Sequence, residues 1–271
     1  MTRTALPLHD TEERKSMSNI SKAFENKKAF IPFITLGDPN LEVTKQAVLE
    51  MVKAGAALIE LGIPFSDPTA EGPVIQGANI RALAGGMTTD KAFDFVADIR
   101  TEVSIPLVFM TYANVVYSYG IERYAERCQE VSLDGIILPD VPFEEKEEFA
   151  PVMRAHGVDF ISMLAPTSQD RISMIAREAE GFIYVVSSLG VTGTRSEITT
   201  DLDSIVKVVR EYAKVPCAIG FGISTPEQAS RMASIADGAI VGSAIIKKLE
   251  QYGIEAPKYI GEYVRTMVDA I

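Results

Sequence analysis

The chain has 271 residues, of which 47% are hydrophobic, and a formal net charge of −11 at pH 7. It shows no basic patch for nucleic acid, and no apolar run approaches the roughly 20 residues that span a membrane. The polar segment 1–28 lacks the apolar core of a signal peptide. Cys128 and Cys217 form neither a disulfide framework nor a metal-binding pattern. We therefore expect a cytoplasmic protein with reduced cysteines and with no nucleic-acid or membrane partner.

Short apolar runs alternate with amphipathic stretches along the chain. Residues 4–27 are expected to form a helix that covers the bottom of the fold. The 3.6-residue apolar period predicts helices over Leu41–Lys53 and Leu202–Tyr212, and Pro73–Arg100 is long enough for two helices separated by its double glycine. Eight β-branched or aromatic runs predict strands: Phe30–Ile34, Leu58–Leu61, Leu107–Met110, Gly135–Leu138, Phe160–Leu164, Phe182–Val186, Cys217–Ile219 and Ala239–Val241.

This alternation predicts an α/β fold, a single (β/α)8 TIM barrel with an extra N-terminal helix. We expect residues 1–271 to form one domain, with residues 1–28 as its N-terminal helical cap. The alternative is a doubly wound open sheet, but no Gly-x-Gly-x-x-Gly motif follows the first strand. Helix starts are indicated at Asp90, Thr167-Ser168, Asp201 and Thr225-Pro226-Glu227.

The run from Ile59 to Pro73, IELGIPFSDPTAEGP, is the most informative segment. A buried strand leads directly into a carboxylate, Glu60, and a loop rich in Pro and Gly then carries Asp67 and Glu71. The carboxyl ends of strands face the binding site in parallel α/β folds. Because partial desolvation raises the pKa of a carboxyl group toward neutrality, Glu60 is a candidate acid or base. The alternative is a glutamate that is simply exposed at the end of a strand.

Glycine motifs after the last three predicted strands indicate a phosphate site. Glycine lets backbone N–H groups approach an anion, and a helix N-terminus adds a positive dipole. Barrels often bind phosphate with the loops after strands seven and eight. The expected ligands are backbone amides and one hydroxyl rather than Lys or Arg. The predicted phosphate-binding residues are Gly193, Gly222, Gly242 and Ser243.

The sequence leaves few other catalytic groups. No predicted strand ends in the lysine that a Schiff-base aldolase requires. The only histidines, His9 and His156, are expected at the surface, so neither a metal site nor a nucleophilic triad is predicted. Acid–base catalysis by carboxylates remains, with Glu60 and Glu71 as the main candidates and Asp67 or Asp140 as further ones.

Apolar and aromatic residues at or near the predicted strand ends suggest a flat aromatic substrate group, with phosphate on the far side. Ordinary core packing is the alternative for each of them. These residues are Phe33, Tyr112, Leu138, Leu164, Tyr184 and Phe221.

Six motifs, which run from the first predicted strand to the last, carry a family resemblance: Glu60–Pro73, Phe33–Pro39, Tyr112–Asn114, Asp140–Pro142, Gly190–Gly193 and Gly220–Ser224. With these motifs the chain resembles the tryptophan synthase alpha chain family. The resemblance implies retro-aldol cleavage of indole-3-glycerol phosphate to indole and glyceraldehyde 3-phosphate, with no cofactor in this chain. It also implies an α2β2 heterotetramer with a tryptophan synthase β chain, which holds pyridoxal phosphate and receives the indole.

The resemblance also implies roles for individual residues. Glu60 would protonate indole C3 and take the proton from the side-chain hydroxyl of the substrate. Glu71, where the family usually has Asp, would accept a hydrogen bond from the indole N–H. Thr192 would contact substrate from a loop that closes over it, and Asp67 lies in a loop that communicates with the β chain. The mouth and glycine residues named above match the indole and phosphate sites.

Two positions depart from the family pattern. Glu71 adds one methylene, and a displacement of about 1 Å can cost roughly a hundredfold where positioning is tight. Ser188 stands where some relatives have Arg. The change at Glu71 leaves open a binding or regulatory subunit with weak catalysis of its own. Another phosphate-binding barrel enzyme, such as an isomerase, is a third hypothesis, which the apolar mouth disfavours.

Overall fold

The computed structural model describes residues 19–25, 27–187, 201–220 and 222–271. Nine strands form one parallel sheet, in the order β5-β4-β3-β2-β1-β9-β8-β7-β6. The strands are β1 Ala29–Thr35, β2 Ile59–Gly62, β3 Leu107–Met110, β4 Gly135–Ile137, β5 Asp159–Phe160, β6 Ser162–Leu164, β7 Ile183–Val186, β8 Cys217–Gly220 and β9 Gly238–Val241.

The predicted fifth strand, Phe160–Leu164, is divided in the structure into β5 and β6. β5 pairs with β4, and β6 pairs with β7. Between them, the Ile161 N–H donates to the carbonyl of Ile136 at 2.9 Å, so contact with the neighbouring strand continues through the break. The ring of strands is completed here, and the architecture is the predicted (β/α)8 barrel and not an open sheet.

The helices confirm most of the predicted boundaries. α1 and α8 match the prediction residue for residue, and Pro73–Arg100 contains both α2 and α3. The α-helices are α1 Leu41–Lys53, α2 Pro73–Ala84, α3 Thr89–Ile99, α4 Ala113–Tyr119, α5 Ile121–Glu130, α6 Ala150–Ala155, α7 Gln169–Arg177, α8 Leu202–Tyr212, α9 Pro226–Ile235, α10 Ser243–Tyr252 and α11 Ala256–Val268. Short 3-10 helices span Asn19–Phe24, Phe143–Glu148 and Gly253–Glu255.

The helix caps follow the expected chemistry, with one shift. Ser168, Asp201 and Thr225 each accept a hydrogen bond from a backbone N–H of the first turn that follows them. The start predicted at Asp90 is wrong by two residues. Thr88 caps α3, and Asp90 lies in the first turn, where its charge still complements the helix dipole.

Two apolar layers hold the barrel together, because side chains alternate between the two faces of each strand. One layer fills the barrel interior, and the other lies between strands and helices. The 3-10 helix Asn19–Phe24 closes the bottom by placing fully buried Ile20 in the interior, while the Asn19 amide donates to Asp134 at 2.9 Å. It is the described part of the predicted N-terminal helix; residues 4–18 and 26 lie outside the described residues.

Within the described ranges, no helix is long and apolar enough to cross a membrane. The same ranges contain no group of three or more His, Cys, Asp and Glu side chains placed to hold a metal ion. Cys128 and Cys217 are both buried free thiols.

Candidate active site

A cavity opens at the carboxyl ends of the strands. Its described lining residues include no Lys, Arg or His, and the only carboxyl groups among them are those of Glu60 and Glu71. The others are apolar, aromatic, glycine or serine. The lining comprises Phe33, Glu60, Ala70, Glu71, Ile75, Met110, Tyr112, Pro139, Tyr184, Gly222, Ile223, Ile240, Gly242 and Ser243.

Glu60 lies on β2, beside Phe33 of β1 in the strand register. Its side chain points into the barrel because Leu58, two residues earlier, belongs to the interior layer. Glu60 is 1% exposed, and its Oε1 has no hydrogen-bond partner among the described residues. Burial disfavours the charged form and raises the pKa of Glu60 to about 8. The carboxyl group is therefore mainly protonated at neutral pH and can donate its proton to a ligand.

This raised pKa makes stability depend on pH. The pKa of Glu60 is about 8 in the folded chain against an ordinary value of 4.5, so the folded state binds the extra proton between these values. The stability contribution is fully present below about pH 4.5 and is lost as the pH rises toward 8. We expect Glu60→Gln to match the parent near pH 4.5 and to exceed its free energy of unfolding by up to about 4 kcal/mol near pH 9. Denaturant unfolding at both pH values measures the difference, and a gap that does not grow with pH would contradict the assignment.

Glu71 lies in the loop between β2 and α2, directly before the helix cap at Gly72. Its Oε2 accepts a hydrogen bond from the Asn79 amide at 2.6 Å, and its backbone carbonyl accepts one from Gln76 at 2.7 Å. Burial raises the pKa of Glu71 to about 7, while hydrogen bonds from Asn79 and Tyr112 oppose that rise. The cavity therefore holds two carboxyl groups in different environments, one buried without a partner at Oε1 and one anchored to α2.

Phe33 and Tyr184 form parts of the cavity wall, and each ring depends on a glycine in the next strand. A Cβ at Gly62 would lie 2.6 Å from the Phe33 ring, and a Cβ at Gly220 would lie 2.6 Å from the Tyr184 ring. Any larger residue at either glycine would force the ring to move. Gly62 and Gly220 therefore allow the two rings to pack directly against the neighbouring strands.

Tyr112 connects the wall of the cavity to the loop that carries Glu71. Its hydroxyl oxygen accepts a hydrogen bond from the Ala70 N–H at 3.1 Å. Its ring stacks on Phe65, with ring centroids 5.2 Å apart. Two residues of this loop, Phe65 and Ala70, are therefore held against the Tyr112 side chain.

Leu138 and Leu164, both predicted as pocket residues, lie outside this cavity. Both are buried in the layer between sheet and helices. The physical reason is the alternation of side chains, since their neighbours Ile137 and Met163 belong to or pack against the barrel interior. The last apolar residue of a strand therefore points outward when the residue before it points in.

The same alternation reveals lining residues that the sequence interpretation missed. Met110 and Pro139 each lie two residues beyond an interior residue, Val108 and Ile137 respectively, and both reach the cavity. Ile240 belongs to the interior layer and lines the cavity directly. Counting in steps of two from the middle of each buried strand would have found them.

Gly222, Gly242 and Ser243, three of the residues predicted to bind phosphate, meet at the cavity. Gly222 has φ +79°, in the left-handed region that glycine adopts without strain. Gly242 caps α10, and Ser243 is its first residue. The positive dipole end of α10 therefore lies at this side of the cavity, where an anion is favoured.

The remaining predicted residues are not part of the described cavity. Asp67 is exposed on the loop after β2. Asp140 accepts hydrogen bonds from the Ala113 N–H at 3.0 and 3.2 Å at the start of α4, and it is not among the residues that line the cavity. Thr192, Gly193, Phe221 and Ser188 lie outside the described residues.

The sequence of this chain matches a known protein family. The family model described as tryptophan synthase alpha chain matches residues 20–268. The tryptophan synthase alpha chain of Lactiplantibacillus plantarum is 48% identical over 256 residues, covering 94% of this chain and 97% of that protein. The corresponding protein of Lacticaseibacillus casei is 46% identical over 257 residues, covering 94% and 97%.

Solved structures agree with the sequence matches. A tryptophan synthase alpha chain from Legionella pneumophila superposes with a TM-score of 0.84 at 36% identity, covering 94% of this chain and 98% of that one. A chain from the tryptophan synthase complex of Pyrococcus furiosus superposes with a TM-score of 0.82 at 33% identity, covering 90% and 99%. The chain therefore belongs to the tryptophan synthase alpha chain family.

Proposed function

We propose that this chain cleaves indole-3-glycerol phosphate to indole and glyceraldehyde 3-phosphate by a retro-aldol reaction. Membership of the family implies an enzyme with lyase activity, and we assign to it the cleavage of this carbon–carbon bond. The observation that carries it is Glu60, a buried carboxyl group whose pKa is raised to about 8 and which faces an apolar cavity. A proton donor of this kind is what protonation of an indole carbon requires near neutral pH.

In the proposed reaction, protonated Glu60 delivers its proton to C3 of the indole ring. The bond between C3 and the hydroxyl-bearing carbon of the side chain breaks, and its electrons return to the ring. The hydroxyl group loses its proton to the Glu60 carboxylate and becomes the aldehyde of glyceraldehyde 3-phosphate. Glu60 thus ends the cycle protonated, and no other co-reactant is needed.

Glu71 stabilises the same reaction by accepting a hydrogen bond from the indole N–H as positive charge develops on the ring. The pKa of Glu71 is about 7, so a large fraction is ionised near neutral pH. The hydrogen bond from Asn79 holds one carboxylate oxygen at 2.6 Å, which restricts the longer side chain. This arrangement supports Glu71 as a working replacement for the usual Asp.

The other parts of the proposal divide the cavity between the two ends of the substrate. Phe33, Tyr112 and Tyr184 would enclose the indole ring, with Thr192 and Phe221 as further contacts that the resemblance implies. Gly222, Gly242 and Ser243 would bind the phosphate through amides and a hydroxyl, joined by Gly193. Leu138 and Leu164 do not line the described cavity and are not among the proposed ring contacts.

We also propose a tryptophan synthase β chain as the partner, in an α2β2 assembly. The Pyrococcus furiosus relative, found in a tryptophan synthase complex, supports a β-chain partner. Asp67, exposed on the loop after β2, would face that partner. Pyridoxal phosphate would be held by the β chain, which would receive the indole.

The test is indole release from indole-3-glycerol phosphate by the purified chain, with and without its cognate β chain. We expect slow release by the chain alone and strong stimulation by the partner. Bound substrate without release in either condition would instead favour a binding or regulatory subunit, the hypothesis that Glu71 in place of Asp keeps open. Turnover of sugar phosphates that lack an indole ring would favour an isomerase.

A further inference from the structure

The loop between β8 and α9 carries Gly222 of the proposed phosphate site and is held in place by contacts behind the cavity. Two residues after Gly222, the Ser224 N–H donates to the Gln228 side-chain oxygen at 2.8 Å, and the Ser224 hydroxyl donates to the same oxygen at 3.2 Å. Gln228 belongs to the capping box of α9 with Thr225. One side of the loop is therefore fixed by the helix that follows it.

The backbone carbonyl of Ser224 is held by a residue of the distant helix α11. The Tyr263 hydroxyl on α11 donates to the Ser224 carbonyl at 3.0 Å, across 39 residues of sequence. Tyr263 is partly buried and does not line the cavity, so it contacts the loop from the outer side. The Lys248 ammonium lies 4.8 Å from the centroid of the Tyr263 ring. Lys248 is on α10, the helix that begins at Ser243.

Tyr263 therefore contacts the two elements that together form the phosphate side of the cavity. We propose that Tyr263 is a positioning residue for phosphate binding, which keeps the Gly222 loop in register with the N-terminus of α10. This inference rests on the proposed function, since the ligand is the phosphate group of that substrate. Backbone amides bind an anion well only when several of them are fixed toward one point, so an anchor on the loop supports affinity.

Tyr263→Phe removes the hydroxyl and keeps the ring that Lys248 covers. A lost neutral hydrogen bond corresponds to about a three- to tenfold change in an equilibrium constant. We expect the Kd for glycerol 3-phosphate, measured by calorimetry on the purified chain, to rise by that factor. We also expect KM for indole-3-glycerol phosphate to rise similarly while kcat stays within about twofold, because Tyr263 touches neither Glu60 nor Glu71.

Tyr259→Phe is the matched control, since it removes a hydroxyl from the same helix. The Tyr259 ring stacks on Tyr252, and its hydroxyl makes no hydrogen bond to the described residues. This control should bind glycerol 3-phosphate like the parent. Equal Kd values for Tyr263→Phe and the parent would overturn the positioning role, as would a fall in kcat with unchanged KM. Failure of the parent itself to bind glycerol 3-phosphate would overturn the phosphate site and the proposed function with it.

Discussion

Glu60→Gln should lower indole release from indole-3-glycerol phosphate by about a hundredfold to ten-thousandfold, the range typical of a lost general acid–base group. The amide has almost the same shape as the carboxylic acid but has no acidic proton to give to indole C3. Binding of glycerol 3-phosphate should remain within about twofold of the parent, because Gly222, Gly242 and Ser243 are unchanged. Steady-state kinetics with the β chain present and calorimetry of the ligand measure the two quantities.

A matched control for this variant is Glu262→Gln on α11, which removes an exposed carboxylate whose side chain is 63% accessible. Its activity should equal that of the parent. Retained turnover in Glu60→Gln would contradict the assigned role, and loss of ligand binding together with activity would point to a disturbed cavity and not to missing acid–base chemistry.

Gly222→Val should weaken binding of glycerol 3-phosphate by at least about tenfold. Gly222 has φ +79°, a conformation in which a β-branched residue is strained by roughly 1–3 kcal/mol. The new side chain also stands where the backbone must approach the anion. Calorimetric Kd values for glycerol 3-phosphate and the KM for indole-3-glycerol phosphate measure the loss.

A valine at Gly222 could weaken binding through backbone strain alone, so a second glycine with positive φ, Gly157, serves as the control. Gly157 has φ +76°, and a Cβ placed there meets no atom within 4 Å. Gly157→Val should therefore lower the free energy of unfolding by an amount similar to Gly222→Val, yet leave ligand affinity unchanged. Equal affinity in both variants would place the phosphate elsewhere in the molecule.

Many features of the site were predictable because they depend on local patterns. Glu60 follows a buried apolar run, and a carboxylate at the end of a parallel strand faces the mouth wherever the barrel closes. The Gly242-Ser243 pair opens a helix, which is readable from the glycine and the amphipathic stretch after it. Leu138 and Leu164 were predicted at the mouth but do not line this cavity, because a position at the end of a strand does not by itself show whether the side chain points inward or outward.

The pKa values of Glu60 and Glu71 could not be predicted from local sequence patterns. The pKa of Glu60 depends on how completely neighbouring strands exclude water, and the pKa of Glu71 depends also on Asn79 and Tyr112, which approach it from α2 and from the end of β3. The sequence predicted partial desolvation at a strand end, but it could not show which polar groups would be close enough to oppose it.

The sequence by itself determined the alternation of strands and helices, the exclusion of lysine and histidine chemistry, and the family resemblance, since each follows from residue types and spacing along the chain. Tertiary structure decided which strand-end side chains share one cavity, how strongly Glu60 and Glu71 resist ionisation, and which distant hydroxyl anchors Ser224. The physical reason is closure of the barrel. It brings the ends of strands far apart in sequence within a few ångströms of each other, where burial and hydrogen bonding, unlike periodicity, depend on every neighbour at once.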